Sequence, residues 1–203
     1  KADELAEAYD VDIFFTAPLI ELSTIIEKTN FIIPTAQHMD EIGIGVGMGY
    51  TSSEILAHKG VRATFLNHAE HPVEVSKLVK TIKKTKELGI LTLLCADSVT
   101  EAKALSLLNP TIMLCEPTEL IGTGTMSDDS YIKSTNEAVK SINENIYVLQ
   151  GAGISSPEDV TKSLQLGADG TGATSGIVAA ADPLQMLEEM ILALVKVRDE
   201  ENK

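Results

Sequence analysis

Two short stretches place groups able to move protons at the ends of apolar runs. In the first, Pro110-Thr-Ile-Met-Leu-Cys115 runs into Glu116; Pro117 stops the extended segment and Ile121-Gly-Thr-Gly124 follows closely. In the second, Phe65-Leu-Asn67 leads into His68, with Ala69 and Glu70 behind it. A carboxylate fixed at a buried strand end suits removal of a carbon-bound proton, because the base must lie within hydrogen-bond reach of it. A histidine similarly placed can donate to a carbonyl oxygen that gains negative charge. Glycines close to the carboxylate can turn backbone amides toward a phosphate. The combination is that of an enzyme that moves a proton on a phosphorylated sugar, with the glycine segment as a lid that keeps water from the intermediate.

Taken singly, each residue has a plainer reading. Glu116 alone could be an ion-paired strand-end carboxylate, and His68 alone a satisfied core histidine; their neighbours favour catalysis. Glu119 reads as a solvated or pairing group, Glu70 as a bracing carboxylate, and His38, His58 and His71 as structural or exposed. No His, Cys and carboxylate cluster has metal-ligand spacing, so neither a metal nor a cofactor is expected.

These residues need a scaffold that holds strand ends together. Apolar runs occur at residues 11–16, 31–36, 63–67, 91–96, 112–115 and 146–150, with a weaker one at 170–174. Most lack strict polar alternation, the mark of strands buried on both faces, and helical segments separate them; the pattern predicts a parallel α/β sheet. Val75, Leu78, Val79 and Ile82 predict one apolar helix face, with the lysines between residues 77 and 86 largely elsewhere, as a solvated surface. Ser156-Pro157-Glu158-Asp159 predicts a helix start. Residues 1–9 read as the end of a helix with no strand before it. A closed eight-stranded barrel needs one strand more, so either the chain extends further or the sheet is open. Residues 43–49, Gly-Ile-Gly-Val-Gly-Met-Gly, read as a functional or interface loop rather than a dinucleotide fingerprint.

With 203 residues and no linker or tag-like tract, residues 1–203 are expected to form one domain. The formal charge of -14, with Arg62 and Arg198 the only arginines, argues against nucleic acid as a partner. An anionic substrate would instead be held by backbone amides and helix N-termini. Cys95 and Cys115 lie inside apolar runs and are expected as buried thiols. No signal peptide or membrane-length apolar stretch is visible, and a cytoplasmic protein without membrane partners is expected.

Leu66-Asn-His-Ala-Glu70, Cys115-Glu-Pro-Thr-Glu-Leu-Ile-Gly-Thr-Gly124 and Gly151-Ala-Gly-Ile-Ser155, in this order, resemble the triosephosphate isomerase family in its shorter archaeal form. Ala36-Gln-His-Met-Asp40, Thr174-Ser-Gly176 and Asp182-Pro183 fit the same pattern. The resemblance implies a (β/α)8 TIM barrel, with the first strand missing from these residues, and a homo-oligomer, dimer or tetramer. It implies Glu116 as catalytic base and His68 as neutral electrophile, a property of this enzyme class rather than of the spacing. It also implies that Gly122 closes over the phosphate, which the amides of Gly153, Thr174 and Ser175 would hold. The substrate pair implied is dihydroxyacetone phosphate and glyceraldehyde 3-phosphate.

The chain also departs from the family pattern. No strand ending Asn-x-Lys is present, Ala69 stands where a serine is usual, Pro72 replaces an arginine, and Met48 takes the place of an interface threonine. These differences leave two alternatives: the same mechanism on another small sugar phosphate, such as a tetrulose phosphate, or a phospho-sugar-binding paralogue without catalysis. An aldolase or synthase on the same scaffold is a third, but a Schiff-base aldolase wants a strand-end lysine that these strands lack.

Overall fold

The computed structural model describes residues 1–201 and contains seven strands alternating with helices, an α/β fold. By internal contacts they form two compact units, Ala2–Cys95 and residues 96–201 together with Lys1.

In the first unit, α1 (Ala2–Tyr9) precedes β1 (Phe14–Ala17), α2 (Leu19–Lys28), β2 (Ile33–Ala36), α3 (Ser53–His58), β3 (Ala63–Leu66), α4 (Val75–Glu87) and β4 (Leu91–Ala96). The strands pair in sequence order and all in parallel, through Ala17↔Ala36, Thr35↔Ala63 and Leu66↔Leu94 among other partners. Parallel order follows from the helical crossovers, which return the chain to the same sheet end. Strand β2 is buried at every position, and so is β4 after its first residue, as continuous apolar runs require when both faces are covered. Helix α2 packs on β1 and β2 through Leu22, with Ala17, Ala36, Met39, Val61 and Ile90 around it.

Helix α4 departs from the expected apolar stripe. Leu78 and Ile82 are buried, but Val75 is 61% and Val79 49% exposed, while Thr81 and Thr85 are buried in their place. Thr85 enters the core because its Oγ1 donates to the Ile82 carbonyl at 2.9 Å, which removes the cost of an unpaired hydroxyl. Residues 43–49 form no regular structure and expose Ile44, Val46 and Met48.

The second unit holds α5 (Val99–Ser106), β5 (Ile112–Cys115), a 3-10 turn (Thr118–Leu120), α6 (Asp129–Ile142), β6 (Tyr147–Gln150), α7 (Pro157–Gln165), β7 (Gly170–Thr171), α8 (Ser175–Val178) and α9 (Pro183–Glu201). Its strands are again parallel, with Cys115↔Gln150 and Gln150↔Thr171 as register partners. Helix α7 starts with the expected capping box: Ser156 Oγ accepts the Asp159 N–H, and Asp159 Oδ2 accepts the Ser156 N–H at 3.0 Å. Its Val160 packs with Ile154 and with Met190 of α9. The weak run at 170–174 contributes only two paired residues, and the rest forms the turn into α8. No helix among the described residues is long and apolar enough to cross a membrane.

Candidate active site

Glu116 is the first residue beyond β5. Its N–H donates to the Ala96 carbonyl at 2.9 Å, which carries the strand geometry one residue past Cys115. Pro117 is buried behind it and turns the chain away. The half-buried carboxylate accepts the Ala152 N–H on Oε1 at 2.9 Å, so one oxygen is fixed against the loop that leaves β6. Gly151 makes this seat possible: a Cβ there would lie 2.8 Å from Glu116 Oε1 and 2.9 Å from Cδ, closer than real side chains pack. Directly before Glu116, burial pushes the Cys115 thiol up to about 12, against a smaller opposing effect of its hydrogen bond with Thr135. The thiol is therefore neutral at ordinary pH and adds no second negative charge beside the carboxylate.

The loop after Glu116 begins with the 3-10 turn and continues through Gly122 and Gly124, at φ 74° and 70°. Thr123 Oγ1 donates to the Leu120 carbonyl at 2.8 Å and accepts the Thr125 N–H at 3.1 Å, so the tip is folded upon itself. Its far end rests on Gly153. With φ at 77°, Gly153 approaches so closely that a Cβ would come within 2.0 Å of the Thr125 carbonyl oxygen and 2.5 Å of Met126 N. Two residues after β7, the chain reaches Ala173, then exposed Thr174 and Ser175 at the start of α8. Gly176 lets this turn touch the β6 loop, since a Cβ there would meet the Ile154 carbonyl at 2.3 Å. The structure thus brings the turns containing Gly153 and Thr174-Ser175 against each other.

In the first unit, His68 follows β3 after Asn67, whose φ of 59° is left-handed, a region that asparagine tolerates better than most side chains. Asn67 Nδ2 donates to the Cys95 carbonyl at 3.1 Å and Oδ1 accepts the Val73 N–H at 3.0 Å, so one side chain closes the turn that carries His68 and ties it to β4. His68 Nδ1 accepts the Glu70 N–H at 3.2 Å. Such a bond requires an unprotonated Nδ1 and leaves the proton of the neutral ring on Nε2. The Glu70 carboxylate also lies near Nδ1, but at 3.6 Å and 87% exposed it is beyond hydrogen-bond length, and the backbone donor decides the tautomer. Close by, His71 N–H donates to the His68 carbonyl at 2.8 Å, and the His71 ring lies 4.2 Å from that of His38, which pairs with Asp40. Among the described residues no group of three or more His, Cys, Asp or Glu could hold a metal ion.

Sequence reasoning did not single out Asn67, Ala152 or Gly151 as positioning elements. Asn67 was findable, because an asparagine between an apolar strand and a strand-end histidine is a turn former. The Ala152 N–H carries no side-chain signal at all.

Parallel strands alternating with helices and pairing in sequence order, with polar groups placed just beyond strand ends, are the architecture of the (β/α)8 class of enzymes. The family model for triosephosphate isomerase matches residues 1–190. Relatives bearing the name triosephosphate isomerase include that of Methanothermus fervidus, 34% identical, covering 94% of this chain and 87% of the relative. That of Methanocaldococcus jannaschii is 35% identical over 94% of this chain and 88% of its own length. That of Saccharolobus solfataricus is 32% identical over 97% and 87%. The chain belongs to the triosephosphate isomerase family. Its fold class is the TIM barrel, with seven strands among the described residues, and its activity class is that of an aldose–ketose isomerase.

Proposed function

We propose that this chain interconverts dihydroxyacetone phosphate and glyceraldehyde 3-phosphate, with Glu116 as the base and His68 as the electrophile. Glu116 takes the proton from the carbon beside the carbonyl, and the electron pair moves to the carbonyl oxygen to give an enediolate. His68 donates the hydrogen bond of its Nε2–H to that oxygen and moves protons between the two oxygens. Return of the proton from Glu116 to the neighbouring carbon completes the isomerisation, with no redox partner. The observation that carries the reading is the Glu70 N–H on His68 Nδ1, which makes the neutral imidazole a donor at Nε2. The loss of one such donor costs about 2.7–4 kcal/mol in comparable sites.

Gly122 belongs to the lid, and the amides of Gly153, Thr174 and Ser175 hold the phosphate. Support comes from the contact between the last two turns and from the left-handed glycines that aim backbone rather than side chains. Glu70 supports His68 through its amide more than its carboxylate. The shared name of the relatives favours the triose substrate over a tetrulose phosphate, and favours catalysis over mere binding of a phospho-sugar.

Residues 1–203 are one domain in this reading, since the family match crosses the boundary between the two units. A homo-oligomer is supported by the exposed Ile44, Val46, Met48 and Tyr50 in and beside the glycine-rich loop. Cytoplasmic residence and a place in triose-phosphate metabolism follow from the same family reading.

Deuterium incorporation from D2O into dihydroxyacetone phosphate tests the base, with Glu116→Gln as control. Exchange that disappears in the variant supports the assignment; equal exchange in both proteins removes Glu116 from the chemistry.

A further inference from the structure

Gln150 closes β6, and the chemistry assigned above makes no use of it. The residue is 2% exposed, and the two that follow it, Gly151 and Ala152, form the seat of the Glu116 carboxylate. Its Nε2 donates to Thr135 Oγ1 at 3.0 Å and to Asn136 Oδ1 at 2.9 Å, both on α6. Each acceptor is itself held. Thr135 Oγ1 donates its own proton to the Tyr131 carbonyl at 2.9 Å, and Asn136 Nδ2 donates to the Leu166 carbonyl at the end of α7 at 3.1 Å. Thr135 also shares a hydrogen bond with Cys115, the last residue of β5 and the register partner of Gln150. Two adjacent residues of α6 thus meet the ends of both strands.

Backbone bonds alone hold this strand end weakly. On the β7 side the register pairs are Leu149↔Gly170 and Gln150↔Thr171. Beyond them the Gly172 N–H reaches the Gln150 carbonyl at 2.9 Å, and the Gly151 N–H reaches the Cys115 carbonyl at 3.1 Å. The chain then turns through a glycine on either side of Ala152, backbone with many conformations open to it. Ladder bonds fix a strand within its sheet; a side-chain bond to α6 fixes its end against the helix layer as well. Gln150 supplies that bond at some expense in stability, since its buried Oε1 has no hydrogen-bond partner among the described residues. A methionine would fill much the same space without that orphan, so the amide contributes direction rather than packing.

We propose that Gln150 is a positioning residue for the active site: its amide fixes the end of β6 on α6 and so sets where the turn of Gly151, Ala152 and Gly153 starts relative to Glu116. What is fixed is the root of the turn, not its tip. The proposal rests on the assignment of Glu116 as base. Gln150 and Thr135 themselves touch no reacting atom.

The test uses the full chain with Gln150→Met, Thr135→Val, Thr135→Ser and the Gln150→Met/Thr135→Val double variant, and Glu116→Gln is run in parallel. Gln150→Met keeps the reach of the side chain and removes the donor; Thr135→Val removes an acceptor from outside the site. A displacement of about 1 Å can cost on the order of 100-fold in rate; the backbone bonds of the strand end remain, so each variant should lower kcat about tenfold. Thr135→Ser, which keeps the hydroxyl, should recover most of kcat. The double variant should be no worse than the poorer single one, because the two residues act through one bond. Amide hydrogen exchange separates positioning from a general loss of stability. Gly151 and Gly172 should exchange faster in Gln150→Met, while Val148, whose N–H is held by Asp169 Oδ2 at 2.7 Å, should not. Unchanged kcat in Gln150→Met, a Thr135→Ser as impaired as Thr135→Val, additive losses, or equal acceleration at all three amides would overturn the proposal. If Gln150→Met does not fold, the activity and exchange of the two Thr135 variants still decide. Full activity in Glu116→Gln would instead overturn the assignment of the base, a separate failure.

Discussion

Glu116 Oε1 and the Ala152 N–H lie 2.9 Å apart, and this bond joins the carboxylate beyond β5 to the loop beyond β6. The two residues are 36 positions apart in the chain. A backbone amide is a donor that no substitution other than proline removes, and it places the carboxylate without any flexible intermediary.

Gly151→Ala tests that seat. The backbone at Gly151 is not left-handed, so alanine is tolerated conformationally; its Cβ, however, would lie 2.8 Å from Glu116 Oε1. Displacing a base by about 1 Å can cost on the order of 100-fold in rate. We expect kcat to fall by about that factor, with KM changed by less than about threefold. Steady-state kinetics beside a thermal melt separate this from unfolding; wild-type kcat would refute the role of the seat.

Gly153→Ala and Gly122→Ala form a matched pair. Both glycines are left-handed, at φ 77° and 74°, but a Cβ at Gly153 runs into the Thr125–Met126 peptide whereas one at Gly122 meets nothing. Gly122→Ala should cost about 1 kcal/mol through backbone strain alone. Gly153→Ala adds a clash of backbone atoms and should cost at least about 2 kcal/mol. Urea unfolding of the two variants checks the order, and equal losses would mean the lid end is not seated on Gly153.

Cys115 predicts a pH effect on the alkaline side. Burial pushes the folded thiol up to about 12, above its ordinary value of 9.0, so the folded state holds the proton more tightly than the unfolded chain. The contribution to stability is complete below about pH 9 and is lost as pH rises toward 12. Wild type should therefore lose more stability than Cys115→Ala between pH 8 and about 10.5, a difference read from urea midpoints. A thiol reagent at pH 8 should label Cys115 only after denaturant is added, and rapid labelling of the native protein would contradict the burial.

Asp3 predicts the opposite, acid-side behaviour. Burial works to raise its carboxyl, but the N–H groups of Ile32, Phe31 and Asn30 outweigh that and hold it below its ordinary value. The bonds tie α1 to the start of β2. A lowered folded value means stabilisation that is present above about pH 4, the unfolded value, and lost as pH falls through the folded one. Asp3→Asn should be less stable than wild type at pH 6, with the gap closing toward pH 3. A constant gap across that range would show that shape rather than charge is at work.

The local parts of this protein were written in its sequence. Runs at 91–96 and 112–115 became β4 and β5 without change, α1 (Ala2–Tyr9) lies within residues 1–9, and Ser156 and Asp159 formed their capping box. Burial on both faces, helix caps and proline stops depend on neighbours a few residues away, so they can be read in order. For the same reason Glu116 and His68 were recognisable, each as a polar group fixed at the end of an apolar run.

The tertiary structure decided what is shared between distant segments. It buried Thr81 and Thr85 in preference to Val75 and Val79, and the Thr85 hydroxyl fits the core because it is bonded within its own helix. It gave Glu116 the Ala152 amide, Asn67 the Cys95 carbonyl and Thr118 the Asp97 carboxylate. It set Gly153 against Thr125. Every residue except proline has the same backbone amide and carbonyl, so sequence spacing cannot say which will meet across the ends of parallel strands; the packing of strands and helices selects them.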